Sequence, residues 1–305
     1  MIKENLPLEL LTKHLPELRL TDPLYIEGEK SLFIKPSTLR QSAIVFLPKS
    51  KALIDMTLAL VSGMVKKNGT IILVGSNDAG IRSAKELYEK NIGPVDEKIV
   101  GKHSALYVGK NQRLGADKKI EDYLSYFPLS FKETSLEVAN LPGVFSANKL
   151  DEGTRLLLDT IPYDAKHVLD IGCGAGVLGA LYKKRSPAST ITMSDVSPLA
   201  VLATQKTLEK SGISATVIES DVFSHVTGTF DLIISNPPFH AGVETDYSFI
   251  ESFARDVKKF LNKGGEVYIV ANSFLPYEKI LEKYVGATKI ITDNKKFKVL
   301  TSRFL

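Results

Sequence analysis

The chain has 305 residues, of which 44% are hydrophobic and 24% charged, a composition that excludes extensive disorder and leaves room for two domains with their own cores. Its 39 basic against 35 acidic residues give a formal charge of only +4, which permits a polyanionic partner without demanding one. The single cysteine, Cys173, excludes an intrachain disulfide and a cysteine-rich metal site. No metal is expected, and charges among the leucines of the first twenty residues and the lack of a long apolar run predict a cytoplasmic protein without membrane segments.

Residues 42–90 carry an apolar strand, a turn at Pro48, a helix ending in lysines, a glycine turn, a second strand and a second helix. Residues 231–284 repeat that order, with Pro48 facing Pro237, Gly69 facing Gly265 and Val74 facing Val270. Matched order over this length points to an internal duplication. The first copy lacks both a glycine-rich loop and the Asn-Pro-Pro-Phe of the second, so it reads as a related fold without catalysis. Proline and polar residues between 126 and 154 interrupt both periodicities, and the boundary is placed near residue 135, giving domains 1–135 and 136–305.

From residue 160 onward, apolar strand-like runs at 167–172, 190–195, 215–220, 230–235 and 265–272 alternate with helical runs such as 198–210 and 247–261. That alternation predicts an α/β domain built on a mostly parallel sheet. The tail reads as two strands joined at Asp293-Asn294, an antiparallel hairpin inserted in that sheet.

The first of these strands runs into Asp170-x-Gly172-x-Gly174-x-Gly176. Glycines are needed where the backbone turns sharply and must approach a ligand without a Cβ in the way. An acid at the strand end can accept from a cationic amino group and would repel a pyrophosphate. Gly174, Gly176 and Gly179 also fit G-x-G-x-x-G, so a nicotinamide-cofactor enzyme is a rival. Asp195 ends the next strand, where a carboxylate can grip ribose hydroxyls in either case. Asp221-Val222 follows the third strand and suits an adenine contact, or equally a helix cap or solvated turn. Cys173 has no partner for nucleophilic chemistry and reads as packing.

Asn236-Pro237-Pro238-Phe239 follows the fourth strand. An exocyclic amine on a nucleobase is a poor nucleophile, because its lone pair is delocalised into the ring. Acceptors that hold its two protons can aim the developing lone pair; the Asn236 side-chain oxygen and the Pro237 carbonyl provide two. The prolines fix direction by locking φ. Phe239 offers a face on which an extruded base can stack. The motif points to methyl transfer from S-adenosylmethionine to such an amine, and Asn236 also belongs to the cofactor wall. His240 is left without a role.

VLDIGCGAGVLG, SDVSPLAV and FDLIISNPPFHAG resemble the class I amino-methyltransferases. LPGVFSANKLDEGTRLLL, GGEVYIVANSFLPY and NGTIILVGSNDAGIRSA are similar to the ribosomal RNA small subunit methyltransferase C family, a likeness covering most of the chain. The resemblance implies two tandem Rossmann-like methyltransferase-type domains, the second with a seven-stranded mostly parallel sheet and a C-terminal antiparallel hairpin. It implies N2-methylation of a guanosine in 16S ribosomal RNA, within the small subunit, with Asn236 to Phe239 catalytic and the first domain helping to bind RNA; a monomer is the default expectation for two domains in one chain. Lys98, Lys102, Lys110, Arg113, Lys118 and Lys119 stand against Asp117 alone and are candidate phosphate contacts, or else a solvated face. Rival readings are a guanine-N2 methyltransferase of 23S RNA, a glutamine methyltransferase of protein, and a non-catalytic RNA-binding assembly factor.

Overall fold

The structure is a computed structural model that describes residues 6–34, 36–145, 149–237 and 243–304. Its packing divides the chain into two units, residues 1–124 and 125–305.

The first unit contains α1 (Leu6–Leu18), β1 (Leu24–Ile26), β2 (Arg40–Phe46), α2 (Lys51–Met64), β3 (Val65–Ser76), α3 (Lys85–Asn91), β4 (Glu97–Val100) and β5 (Ser104–Lys110). They form a five-stranded sheet in the order β1-β2-β3-β5-β4, parallel from β1 to β3 and antiparallel beyond. β2 and β3 carry the continuous apolar runs 43–46 and 71–74 because helices cover the sheet. Ile44, Ile72, Val74 and Leu106 are buried with Leu11 of α1. Ser50 starts α2 by accepting the Leu53 N–H at 3.3 Å.

The second unit opens with a two-stranded ribbon, β6 (Ser125–Phe131) and β7 (Thr134–Asn140). There follow α4 (Glu152–Thr160), β8 (His167–Ile171), α5 (Val177–Arg185), β9 (Thr190–Asp195), α6 (Pro198–Ser211), β10 (Thr216–Glu219) and β11 (Phe230–Ser235). α7 (Val243–Asp256), β12 (Leu261–Asn272), α8 (Tyr277–Tyr284), β13 (Thr288–Asp293) and β14 (Phe297–Arg303) complete it. The seven-stranded sheet has the order β10-β9-β8-β11-β12-β14-β13, parallel from β10 to β12, with β14 antiparallel to both its neighbours, β12 and β13. Two of its helices start on a side-chain cap. Asp151 accepts the Thr154 N–H at 2.9 Å before α4, and Ser197 accepts the Ala200 N–H at 3.1 Å before α6, whose first residue is Pro198. Gly212 ends α6 at φ 65°. One side of the sheet is sealed by Phe253, Ile250 and Val257 on Ile233, Val267 and Ile269.

Two sequence expectations can be set against this packing. The expected boundary near residue 135 falls inside the β6–β7 ribbon, which belongs to the second unit. Its Leu129, Phe131, Leu136 and Val138 are buried, and Ala139 donates to Thr207 of α6 at 3.0 Å. Pro128 disguised the strand, yet a two-stranded ribbon has a free edge for a residue without an N–H. The duplication is present in the strand pairing, with one register change. Val45 pairs Leu73 as Ser235 pairs Ile269, which puts Phe46 in the place of Asn236 and Leu47, rather than Pro48, in the place of Pro237. Both pairs also slip at their start, between Arg40 and Ser42 and between Phe230 and Leu232.

Candidate active site

β9, β8 and β11 lie side by side, and the loops at their carboxyl ends border a cavity of about 400 Å³. Open α/β sheets bind ligands at this position. Gly172, Gly174, Asp195, Asp221, Val222, Asn236 and Pro237 all line it. A smaller recess of about 40 Å³ beneath the loop shares Phe145, Asp151, Gly172 and Asn236 and adds Asp170.

Asp170 is 1% exposed. Its Oδ2 accepts the Gly179 N–H of α5 at 2.9 Å, while Oδ1 is buried with no partner among the described residues. Burial, opposed by that hydrogen bond and reinforced by the charge of Asp195, pushes the carboxyl up to about 7. A buried acceptor left unsatisfied is costly, so this atom marks a place for a donor, most favourably a cation. Gly172 sits at φ 73°, and a Cβ there would meet no protein atom within 4 Å, so the loop offers bare backbone to the cavity. Gly174 donates its N–H to Asp195 Oδ2 at 2.9 Å. Gly176 does not line the cavity; it turns the chain into α5 against Thr204.

Asp195 Oδ1 also accepts the Ser197 N–H at 2.9 Å. Burial raises its pKa against these backbone hydrogen bonds. The carboxylate is thereby fixed in direction with lone pairs to spare for hydroxyl donors. Asp221 is exposed and heads a turn, its N–H donating to Ser224 Oγ at 3.0 Å. Val222 follows at φ 48°, an uncommon conformation for a β-branched residue, which costs about 1–3 kcal/mol and holds its side chain at the cavity wall. Cys173 is buried, with Sγ 3.4 Å from Thr204 Oγ1, and burial pushes its thiol well above the usual range. It is packing. No group of His, Cys, Asp and Glu that could hold a metal ion exists among the described residues.

Asn236 is held by the start of α4. Its Nδ2 donates to Asp151 Oδ2 at 3.1 Å and to Thr154 Oγ1 at 2.8 Å. A carboxylate can only accept, so the amide cannot be turned the other way. Nδ2 is consumed, and Oδ1 is left to act as acceptor. Pro237 follows on the cavity wall. Pro238, Phe239 and His240 lie outside the described residues.

Asp151 and Thr154 had no place in the sequence-based site. The only signal was a helix cap, Asp151 three residues before Thr154, which does not say what else the cap holds. Phe249, Asn272, Lys296 and Phe297 also border the cavity and were not foreseen. Lys296 is paired with Glu152 at 2.7 Å, tying the β13–β14 turn to the first turn of α4.

The basic run from Lys98 to Lys119 is not one patch. β5 carries the chain across the sheet, from Ser104 beside Ser76 to Lys110 beside Thr70, about 20 Å at strand rise. Lys102 lies at the Ser104 end of that crossing and Lys98, opposite Tyr107, part-way along it; Lys110, Arg113, Lys118 and Lys119 follow it. Lys110 Nζ donates to Thr70 Oγ1 and Arg113 to the Val65 carbonyl, both at 2.9 Å. Lys98, Lys102, Lys118 and Lys119 are exposed.

Comparison with known proteins places these features in a lineage. The methyltransferase small domain family matches residues 135–301, and the methyltransferase small domain N-terminal family matches residues 12–127. Ribosomal RNA small subunit methyltransferase C of Aliivibrio salmonicida is 35% identical over 260 residues, covering 85% of this chain and 76% of that protein. The protein of the same name from Haemophilus ducreyi is 40% identical over 236 residues, covering 76% and 70%. Among solved structures, the T. thermophilus 16S rRNA N2 G1207 methyltransferase in complex with AdoMet and guanosine has the same fold, with a TM-score of 0.78 at 23% identity over 88% of this chain and 74% of that one. Paired domains, glycine loop, strand-end acids and the restrained asparagine thus converge with these matches, and the chain belongs to the ribosomal RNA small subunit methyltransferase C family.

Proposed function

We propose that this chain is an S-adenosylmethionine-dependent methyltransferase acting on the exocyclic N2 amine of a guanosine in 16S ribosomal RNA. The observation that carries the reading is the clamp on Asn236. Its NH₂ is held by Asp151 and Thr154, so its Oδ1 serves as an acceptor beside a cavity shaped for the methyl donor. Family membership and the relatives' names supply the RNA and the base.

The residues fit the donor. Asp170 Oδ1, buried and unpartnered, suits its cationic amino group; Asp195 suits ribose hydroxyls; Val222, with Asp221 beside it, suits the adenine ring and its amine. S-adenosylmethionine when bound supplies an electrophilic methyl group. The chain supplies position and electrostatics. Asn236 Oδ1 and the Pro237 carbonyl accept the two amine protons, which turns the nitrogen lone pair out of conjugation and along one direction. No strong general base is needed, because the nitrogen becomes acidic on methylation and sheds a proton to solvent. The family likeness assigns the rest of the motif, Pro238 and Phe239, which lie outside the described residues, to the same role, with Phe239 as the stacking partner for an extruded base.

The described cavity walls come from residues 143–297 of one chain, and a monomer is the proposed state. No helix among the described residues is long and apolar enough to cross a membrane, and the cytoplasm is the proposed compartment. The first unit, without a glycine loop, is assigned RNA contact through its exposed Lys98, Lys102, Lys118 and Lys119, with Lys110 and Arg113 held partly by the protein itself.

The test is transfer of labelled methyl to naked 16S RNA, assembled small subunits, 23S RNA and a protein release factor. Label is expected at guanine N2 in small-subunit RNA. Label confined to 23S RNA or to protein overturns the assignment.

A further inference from the structure

We propose that Asp151 is the residue that selects guanine, reading the ring N1–H beside the amine that Asn236 aims. The inference rests on the function proposed above and names a determinant within that site.

Asp151 lines the same cavity as Asn236 and Pro237 and is joined to Asn236 by a 3.1 Å hydrogen bond. Its two oxygens have different duties. Oδ2 accepts both the Thr154 N–H and the Asn236 Nδ2–H. Oδ1 has no hydrogen-bond partner among the described residues, and the side chain is only half-buried, at the wall of the cavity. This corner of the cavity wall therefore holds two acceptors for a base, Asn236 Oδ1 and Asp151 Oδ1, once the Asn236 amide nitrogen is taken up by Asp151 Oδ2 and Thr154.

Base chemistry decides what fits. Guanine carries a ring N–H directly beside its exocyclic amine, so its Watson–Crick edge offers two adjacent donors. Adenine and cytosine each carry an unprotonated ring nitrogen beside theirs. A carboxylate oxygen facing that lone pair is left unpaired and repelled, and a site built to bond a donor rejects an analogue lacking it by large factors. Extruded bases are read through this edge. The same carboxylate that stops the Asn236 amide from flipping thus excludes the other two amine-bearing bases.

The test uses the full chain and small-subunit RNA. The guanosine methylated by the wild-type chain is mapped, then replaced in ligated RNA by 2-aminopurine, which keeps the 2-amine but has a lone pair at N1. Asp151→Asn preserves one acceptor oxygen for the cap and the clamp and converts the other position into a donor, and asparagine caps helices as well as aspartate does. The wild-type chain is expected to prefer guanine strongly. In Asp151→Asn the ratio of kcat/KM for guanine over 2-aminopurine should fall by about 100-fold, in line with the loss of a paired base contact. Asp151→Ser, which also caps, should lower the same ratio. Equal losses on both RNAs, with the ratio unchanged, overturn the proposal and leave Asp151 as a cap and positioning residue alone. Weakened S-adenosylmethionine binding with an unchanged ratio also overturns it, assigning the carboxylate to the donor. A wild-type chain that methylates no guanosine in ribosomal RNA refutes the parent function instead, so the two failures are distinguishable.

Discussion

The two units share a scaffold and differ in what its edge carries. β1-β2-β3-β5-β4 of the first unit repeats β8-β11-β12-β14-β13 of the second, down to the antiparallel pair and the slipped start of the central strands. Among the described residues the first sheet stops at β1, where the second continues into β9 and β10. Those two strands present Asp195 and the Asp221-Val222 turn. Phe46 stands in place of Asn236. Strand pairing and core burial require none of the missing groups, so one copy can lose the site and keep the fold; function here is a set of strand-end residues placed on a frame that does not need them.

The largest expected effect tests whether that difference is the catalytic one. Asn236→Ala should lower kcat by about 10²–10³-fold, the scale for deleting one preorganised polar contact to the reacting group, with donor affinity little changed. Phe46→Asn should yield no methyl transfer by the first unit, because its sheet has no described counterparts of β9 and β10 to present the acids of the donor site. Single-turnover kinetics with isothermal titration of the donor read both, and a fully active Asn236→Ala would sink the acceptor role.

Next in size is the pH response of a group that only the second unit possesses. Asp170 titrates near 7 in the fold against a usual value of 3.8. Its folded value is raised, so between about pH 4 and pH 7 the native state holds a proton that the unfolded state has lost. Stability therefore declines as pH rises through that window. A cationic ligand on Oδ1 favours the ionised form, so donor binding should release a proton and tighten by up to about ten-fold per pH unit below 7, then level off. Asp170→Asn should flatten that slope. Titrations in buffers of different ionisation enthalpy measure the proton count, and zero release at pH 6 contradicts the assignment.

A comparable effect should appear in both units. A Cβ on Gly69 would lie 2.6 Å from the Gln41 carbonyl, and one on Gly265 would lie 2.8 Å from the Asn262 carbonyl and 3.1 Å from that of Phe230. Both glycines mark the slip where β2 meets β3 and β11 meets β12. Gly69→Ala and Gly265→Ala should each cost about 1–3 kcal/mol by denaturant unfolding, since backbone atoms cannot swing aside. A cost at one site only would break the equivalence of the copies. The smallest effect belongs to Val222→Gly. Relief of the φ 48° strain, offset by the entropy of a glycine and the lost packing of Val222 on the core, should leave stability within about 1 kcal/mol while donor affinity drops several-fold. Thermal melts should barely move while donor titration weakens.

Much of the second unit was legible in its residues. β8 and β11 are central parallel strands with apolar residues on both faces, and runs such as residues 230–235 have few other uses; β9 alternates Ile191 and Met193 with polar residues. The strand-end acids and the glycine loop are local motifs whose spacing follows from the strand–turn–helix they occupy. The clamp was not legible, because Asp151 and Thr154 meet Asn236 across 85 and 82 residues. No periodicity carries that information. The ribbon of β6 and β7 hid behind Pro128, and the basic run read as one surface because sequence does not show that β5 crosses the sheet within it.

The ion pair between Lys296 and Glu152 spans 144 positions, and the neighbouring contact from Asn294 to Glu152 spans 142. Both ends are largely exposed, so the pair itself contributes little to stability. Its meaning is one of timing during synthesis. Loop, acids and tetrapeptide are all present once the chain has grown past Phe239, yet Asn272, Lys296 and Phe297 have still to complete the cavity wall. Contacts so distant in sequence form late, and the methyl-donor cavity is finished only when translation has passed β14.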